Sequence, residues 1–243
     1  MLNGSLNIGI FGDSIGKGIL LRPDSTRYST LKIDLHKLIG ASEQRLSIQN
    51  YSMMGSTVTK GLSVLDRHLD KVKQYQNVLL EFGGNDCDYN WQNISENPHA
   101  AHECNTPIPL FIKKYTEMIE KIRERQGNPI MLTLPPLVAD KYFEWISRNL
   151  NKDNILAWLG GDVNMIYRWQ ELYNAKVTWL ASQLSVPLID IRAAFLQQHH
   201  YQKLMCEDGI HPNEAGYKLI YKTISEQYLQ SITTSLKTKN EQH

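Results

Sequence analysis

Thiols, long apolar runs and surplus charge are all scarce in this chain. The three cysteines, Cys87, Cys104 and Cys206, are odd in number and have no metal-ligand spacing. They predict reduced thiols and no bound metal, as is usual in the cytoplasm, with a Cys87–Cys104 bridge as the alternative. No apolar stretch approaches the roughly 18 residues of a membrane-spanning helix, and no signal-peptide order is visible at the start. We therefore expect a cytoplasmic protein, although a leader removed beforehand would leave no trace.

The charges are nearly balanced, with 26 basic and 25 acidic side chains and a net charge of +1 over 243 residues. This balance argues against binding to nucleic acid or to an anionic membrane surface. No repeat or low-complexity linker divides the chain, of which 42% is hydrophobic. We therefore expect one domain over residues 1–243. The sequence does not indicate an oligomeric state.

Short apolar runs alternate with amphipathic segments along the chain. The runs with strand character are 8–11, 46–51, 77–82, 129–134 and 186–191. The segments with helical spacing include 28–39, 58–72, 109–126, 162–184 and 213–231, whereas 20–26 is predicted as loop. Continuous apolar runs such as 78–80 are typical of strands buried on both faces of a parallel sheet. The alternation predicts a three-layer α/β/α sandwich with five parallel strands.

Two long excursions, 87–109 and 137–161, interrupt this alternation after the third and fourth strands. Loops of such length in compact domains are commonly functional or disordered. Because both follow the carboxyl ends of strands, we expect them to cover the active site in part. Asp88 and Trp91 in the first excursion are candidate substrate contacts, since an indole beside polar groups suits a sugar ring. A merely solvated loop is the alternative.

Residues of types that are common in catalytic sites lie in four turns at or beyond the ends of predicted strands. Ser14 follows the first strand, Gly55 the second and Asn85 the third. Asp208 and His211 lie in a loop beyond the fifth strand. Parallel strands bring their carboxyl ends to one edge of the sheet, where ligands bind in open α/β folds, so these residues are expected to converge.

The residue types in these turns fit nucleophilic catalysis. A serine hydroxyl needs a base to remove its proton. His211 can be that base, and Asp208 can fix its tautomer. The backbone N–H groups of Ser14 and Gly55 and the side-chain amide of Asn85 can stabilise an oxyanion. Structural roles are the alternatives: a helix cap for Ser14 or Asp208, and turn positions for the other three.

Four short blocks of the sequence resemble the motifs of the GDSL/SGNH hydrolase family. They are Phe11-Gly-Asp-Ser14-Ile, Gly55, Gly83-Gly-Asn85-Asp86 and Asp208-Gly-Ile-His211-Pro-Asn, and in order and spacing they cover nearly the whole chain. The resemblance implies a flavodoxin-like fold with strand order 2-1-3-4-5. It implies an esterase or acylhydrolase that needs no metal or cofactor and acts on a small-molecule ester.

The same resemblance implies a role for each matched residue. Ser14 is the implied nucleophile, His211 the base and Asp208 its orienting partner. Ser14, Gly55 and Asn85 are implied to form the oxyanion hole.

Some positions depart from the family pattern or stay ambiguous. Ile15 replaces the usual leucine, and Ser52 stands where many members have glycine. Asp13 is interpreted as a residue that stabilises the serine turn, and it is also a candidate substrate contact. The long excursions prevent substrate specificity from being carried over.

Other functions can be weighed against the sequence. A phosphate-binding loop is hinted at by Gly16-Lys17, but its first glycine would have to be Phe11, and Gly18 stands where Ser or Thr is required. A catalytically silent binding module, an acyltransferase to an alcohol or sugar, and a lysophospholipase or thioesterase for long chains stay open. We predict hydrolysis of short acyl esters of a polar alcohol such as a carbohydrate.

Overall fold

The computed structural model of the protein describes residues 6–31 and 46–240. The strands in these ranges are β1 (Leu6–Gly12), β2 (Ile19–Leu21), β3 (Tyr28–Thr30), β4 (Leu46–Asn50), β5 (Asn77–Glu81), β6 (Pro129–Leu132) and β7 (Leu188–Ile189). The helices are α1 (Ser14–Lys17), α2 (Val58–Asp66), α3 (Leu69–Val72), α4 (Trp91–Glu96), α5 (Ile108–Glu124), α6 (Ala139–Ser147), α7 (Lys152–Trp158), α8 (Asn164–Gln183), α9 (Ile191–Leu196) and α10 (Glu214–Asn240). A 3₁₀ turn, Tyr201–Leu204, lies between α9 and α10.

A parallel sheet in the order β4-β1-β5-β6-β7 forms the middle of the fold. Counted along the chain without β2 and β3, this is the predicted order 2-1-3-4-5, which is confirmed. The chain leaves β1 for β4 on one side and later returns to β5 on the other, so the strand order reverses beside β1. Ligands bind at such switch points in open α/β sheets.

Alternate residues of the strands face two different cores, as the two-residue period of a strand requires. Val78 and Leu80 of β5 are buried on one face, where Tyr115 of α5 packs. Leu79 is buried on the other face, where Tyr217 of α10 packs. Helices therefore cover both faces of the sheet, and the predicted three-layer sandwich is confirmed.

The two excursions pack against each other rather than projecting separately. The first contains α4, and the second contains α6 and α7, in agreement with the prediction of one or two short helices there. Ile94 of α4, Phe143 of α6 and Ile155 of α7 are all buried in one apolar cluster. This cluster lies outside the two cores that flank the sheet.

A β-hairpin follows α1 where the sequence predicted a loop over 20–26 and the start of a helix at residue 28. Strands β2 and β3 pair in antiparallel fashion, with Leu21 opposite Tyr28 and Ile19 opposite Thr30. Tyr28 and Thr30 favour extended backbone, and the hairpin adds a bond from Leu31 N–H to Gly18 O of 2.8 Å. The helix prediction was therefore wrong for residues 28–30, and its part from residue 32 onward lies outside the described residues.

Other differences from the predicted elements are small. The last helix continues to Asn240 rather than ending near residue 231, and β6 and β7 are shorter than their apolar runs. Cys87, Cys104 and Cys206 are free thiols, so the alternative bridge is not formed. No helix within residues 6–31 and 46–240 has the length and apolar character needed to cross a membrane.

The close approach of α2 to the sheet yields a stability prediction at Gly61. A Cβ at this position would lie 2.2 Å from Cζ of Phe82, a fully buried ring in the residue directly after β5. An alanine normally favours a helix over glycine by about 1 kcal/mol. Overpacking of a tight core costs roughly 1–3 kcal/mol, and the severity of this clash places Gly61→Ala at the upper end, so we expect net destabilisation in urea unfolding.

The matched control for this variant is Thr59→Ala, at an exposed position of the same helix. It should leave the free energy of unfolding unchanged or slightly raised. A Gly61→Ala protein as stable as the wild type would mean that the Phe82 ring can move aside.

Candidate active site

Ser14 is held at the carboxyl end of β1 by a one-turn helix. The Asp13 carboxylate caps this helix by accepting a 2.8 Å bond from the backbone N–H of Ile15. Gly18 ends it with a φ of 76°, a conformation that glycine adopts without strain. The Ser14 side chain is 7% exposed, so its hydroxyl is held close to the neighbouring loop and largely away from bulk water.

The loop that carries Asp208 and His211 is folded back on itself. Met205 and Pro212 form an isolated antiparallel bridge, and Gly209 between them has a φ of 73°. One Asp208 oxygen, Oδ1, accepts bonds from the backbone N–H groups of Ile210 (3.2 Å) and His211 (3.1 Å). Backbone N–H groups of the same loop therefore hold this carboxylate in place, independently of its bond to the His211 side chain.

Three side chains from the two ends of the chain form one hydrogen-bonded series. His211 Nδ1 lies 2.7 Å from Asp208 Oδ2, and His211 Nε2 lies 2.9 Å from Ser14 Oγ. A carboxylate can only accept at Nδ1, so Nδ1 carries the proton and Nε2 accepts from the serine hydroxyl. Ser14, Asp208 and His211 therefore lie together, as the sequence analysis predicted.

The charge state of Asp208 supports this assignment of protons. Burial alone would raise the pKa of its carboxyl, but the hydrogen bonds and the adjacent His211 outweigh burial and hold the pKa below its ordinary value. Asp208 is thus ionised at neutral pH and keeps the proton on Nδ1. In the described part of the chain, no group of three or more His, Cys, Asp or Glu side chains is arranged to hold a metal ion.

Asn85 reaches the same site from the turn after β5. Its Nδ2 donates to Asp13 Oδ2 at 2.9 Å and, more weakly, to the Ser56 carbonyl at 3.3 Å. The next residue, Asp86, accepts from the backbone N–H of Val58 with both oxygens, at 3.0 and 3.1 Å. These bonds tie the turn after β5 to the beginning of α2.

Gly55, unlike Ser14 and Asn85 of the predicted oxyanion hole, does not line the cavity beside Ser14. It has a φ of 70° in an exposed turn after β4. The positive φ explains why glycine suits this turn.

Asp88 and Trp91 line the cavity, and they are bonded to each other. Trp91 Nε1 donates to Asp88 Oδ1 at 2.8 Å, and the Tyr142 hydroxyl of α6 donates to Asp88 Oδ2 at 2.7 Å. Burial raises the pKa of the Asp88 carboxyl, while these donors act in the opposite direction. Asp88 therefore joins the two excursions, and the Trp91 indole is largely buried rather than open as a platform.

The cavity beside Ser14 is small, at about 70 Å³. Its floor carries Asp13, Ser14, Glu81, Asn85 and His211. Its apolar lining comes from the two excursions, from the turn after β6 and from α8, and includes Tyr89, Trp91, Tyr142, Leu134, Pro135, Leu137, Ile166 and Trp169. Polar and apolar surfaces thus meet at the serine hydroxyl.

Two residues in contact with the site were missed by the sequence analysis. Glu81 is an acidic residue at the end of a strand whose preceding residues are apolar, and this could have indicated a site residue from the sequence alone. Tyr28 was missed because it was assigned to a predicted helix. The centroid of its ring lies 5.1 Å from the centroid of the His211 imidazole. The Tyr28 hydroxyl interacts with the side chains of Asp208 and Trp145, so the hairpin packs directly on the Asp208–His211 pair.

Comparison with known proteins agrees with the fold and the motifs. The profile of the GDSL-like Lipase/Acylhydrolase family matches residues 10–219, from within β1 into α10. Because the match covers most of the chain, the protein belongs to this family and is an ester-bond hydrolase. No curated protein sequence matches the chain at a comparable level.

Several solved structures share the fold. A lipase/acylhydrolase from Enterococcus faecalis is 19% identical, with a TM-score of 0.61 over 91% of this chain and 94% of that chain. A catalytic mutant of an acetylxylan esterase from Geobacillus stearothermophilus is 18% identical, with a TM-score of 0.62 over 93% and 96%. A GDSL-like lipase from Bacteroides thetaiotaomicron is 14% identical, with a TM-score of 0.58 over 93% and 88%. At these identities the likeness supports the fold alone.

The Asp88 contacts predict that this carboxylate stabilises the cover of the cavity. Asp88→Ala leaves the Trp91 and Tyr142 donors without their acceptor, and each buried donor left unpaired costs about 1–3 kcal/mol. We expect Asp88→Ala to speed up amide hydrogen exchange, relative to the wild type, in α4 and α6 but not in the sheet. Asp153→Ala, at an exposed position in the first turn of α7, is the control. Unchanged exchange in Asp88→Ala would show that other acceptors replace the carboxylate.

Proposed function

We propose that this hydrolase cleaves a short acyl ester of a polar alcohol through an acyl-enzyme on Ser14. The observation that carries the proposal is the continuous series of hydrogen bonds from Asp208 through His211 to the Ser14 hydroxyl. A serine with its proton already directed at a neutral imidazole nitrogen is activated for attack on a carbonyl carbon.

In the first half-reaction, Ser14 Oγ attacks the ester carbonyl while His211 Nε2 takes the hydroxyl proton. The tetrahedral intermediate collapses, the C–O bond to the alcohol breaks, and His211 returns the proton to the leaving oxygen. In the second half-reaction, water attacks the acyl-enzyme with His211 again as base, and the carboxylic acid leaves. Asp208 holds the imidazole and stabilises its protonated form without itself taking the proton.

The oxyanion is stabilised by donors at the same edge of the sheet. The Asn85 amide is held by Asp13 through one N–H, and its contact with Ser56 O is long enough to yield to a stronger acceptor. The backbone N–H of Ser14 is the second donor. Gly55 is a third in the proposal, although its exposed position requires the turn after β4 to close on the substrate.

The small cavity supports the preference for a short acyl group. A volume of about 70 Å³ compares with roughly 10–15 Å³ needed to hold one water molecule and about 150 Å³ for an engineered cavity that binds benzene. Most of a long chain would extend beyond this volume, so its outer methylenes would not gain the ~0.8 kcal/mol that each buried methylene provides.

The alcohol side of the site favours a carbohydrate. Tyr89 and Trp169 line the cavity, and with Trp158 they form a partly exposed aromatic cluster with ring centroids 4.7–5.1 Å apart. Aromatic faces beside polar groups suit sugar rings, and one structure with the same fold is an acetylxylan esterase. Asp13, Asp88 and Trp91 stay candidate contacts. Faster turnover of simple alkyl acetates than of acetylated sugars would contradict this part of the proposal.

The nucleophile is tested by Ser14→Ala. We expect ester turnover to fall by roughly 10³-fold or more, and covalent labelling by a fluorophosphonate to disappear, because the attacking oxygen is gone. Ser63→Ala, at an exposed position of α2, is the control and should retain both. Labelling that persists in Ser14→Ala would overturn the assignment.

The acyl preference is tested with p-nitrophenyl acetate, butyrate and octanoate. We expect kcat/KM to fall from acetate to octanoate because the cavity cannot bury the longer chains. Ile166→Ala, also in α8, removes part of the apolar lining of the cavity and should shift the preference towards butyrate or longer chains. Trp179→Ala, 47% exposed on the same helix, should not. A steady rise from acetate to octanoate in the wild type would refute the short-acyl proposal.

A further inference from the structure

Two buried carboxyl groups lie side by side beneath the serine turn. Asp13 and Glu81 are each 2% exposed, and both line the cavity. They come from the ends of neighbouring strands, β1 and β5, which pair in register from Ile8 with Asn77 to Gly12 with Glu81. None of the described ion pairs includes either residue. Two carboxylates so close together cannot both be ionised at neutral pH without a compensating cation.

The hydrogen bonds decide which of the two carboxyls keeps the proton. Asp13 accepts from the backbone N–H of Ile15 with Oδ1 and from the Asn85 amide with Oδ2, both of which favour its ionised form. Glu81 Oε2 accepts from the backbone N–H of Gly16 at 3.2 Å. Glu81 Oε1 is buried and has no donor, although the Glu81 and Asp13 side chains hydrogen-bond to each other.

An oxygen that faces only another acceptor is satisfied when it carries a proton itself. Glu81 therefore donates through a carboxyl O–H to the Asp13 carboxylate. Burial raises the pKa of both carboxyls. At Asp13 the bonds from Glu81, Ile15 and Asn85 oppose this rise. At Glu81 the neighbouring Asp13 charge adds to it, and the backbone N–H groups of Asp13 and Gly16 oppose it only in part, so the pKa of Glu81 lies well above its ordinary value.

We propose that Glu81, in its protonated form, is a positioning residue for the oxyanion donors, a role that rests on the function proposed above. Its O–H holds Asp13, and Asp13 holds both the Asn85 amide and the helix that begins with Ser14. The protonated state also keeps one negative charge rather than two beside the carbonyl oxygen, which itself becomes negative in the reaction.

Among the residues that the structure describes, the titratable groups that interact with Glu81 are Asp13 and two tyrosines, and none of them is a cation. Tyr115 of α5 and Tyr217 of α10 interact with Glu81, and burial raises the pKa of both phenols, which stay neutral. His211 and Asp86 both interact with Asp13. Burial raises the pKa of Asp86 to about 7, so Asp86 can titrate near neutral pH. A comparison of variants at position 81 cancels the Asp86 contribution because Asp86 is present in all of them.

Glu81→Gln and Glu81→Ala separate positioning from mere packing. Gln is neutral, can donate to Asp13 and can accept from Gly16, whereas Ala can do neither. In Glu81→Ala we expect kcat for p-nitrophenyl acetate to fall by roughly 10²-fold, the order of a lost oxyanion donor, with little change in KM. Glu81→Gln should recover most of this loss.

The pH dependence of kcat gives the second readout. When the pH rises through the raised pKa of the Glu81 carboxyl and the wild type loses this proton, Asp13 and Glu81 repel each other and kcat should fall. Glu81→Gln has no such proton and should retain its kcat to higher pH. If Glu81→Gln is as impaired as Glu81→Ala, or shows the same alkaline decline as the wild type, the proposal is wrong.

Stability provides a test that does not need ester turnover. A carboxyl whose pKa is raised by folding adds stability at low pH, and this contribution is lost as the pH rises through the folded-state value. The free energy of unfolding of Glu81→Gln, relative to wild type, should therefore increase as the pH rises from the ordinary glutamate pKa of about 4.3 towards the raised folded-state value. If the difference in free energy of unfolding between Glu81→Gln and the wild type does not change with pH, Glu81 is not protonated as proposed. Fluorophosphonate labelling of Ser14 reports separately on the proposed function.

Discussion

Asp13 uses one carboxylate to join three segments of the protein. Its Oδ1 accepts from the backbone N–H of Ile15, its Oδ2 accepts from the Asn85 amide, and Glu81 lies against it from the adjacent strand. The backbone of the serine turn and the amide of Asn85 are thus bonded to the two oxygens of one planar carboxylate. Because a buried charge is costly unless it is well hydrogen-bonded, this carboxylate has little freedom to move.

The rest of the site is assembled on that base by elements from distant parts of the chain. The Asp208–His211 loop arrives after the last strand and is covered by Tyr28 of the hairpin. The excursions arrive after β5 and β6, and Asp88 fastens one to the other through Trp91 and Tyr142. The reacting side chains stand at the edge of the sheet, while the excursions, together with α8 and the turn after β6, line the rest of the cavity. Acyl preference can therefore differ between proteins that share the same edge.

The sequence was sufficient where a single strong pattern determines the structure. Continuous apolar runs predicted all five parallel strands, and turn positions predicted the approach of Ser14 and His211. The order of the strands came from the resemblance to the GDSL/SGNH family and not from the runs themselves. The pattern failed at Tyr28, where helical spacing of leucines further along the chain suggested a helix while the residues themselves pair with β2. It also gave no partner for Glu81 or Asp88, because side-chain hydrogen bonds between distant segments leave no periodic trace in a sequence.

The tight packing at Gly209 limits how the excursions can vary. A Cβ there would lie 2.6 Å from both the Val138 carbonyl oxygen and the Tyr142 backbone nitrogen, and the Gly209 carbonyl accepts from the Val138 N–H at 2.8 Å. The loop that bears His211 and the beginning of α6 are therefore one mechanical unit. Insertions or backbone changes at 138–142 would displace the imidazole as well as the cover. A redesign of substrate range has more freedom in α4, in α7 and on the cavity face of α8, which do not contact Gly209 in this way.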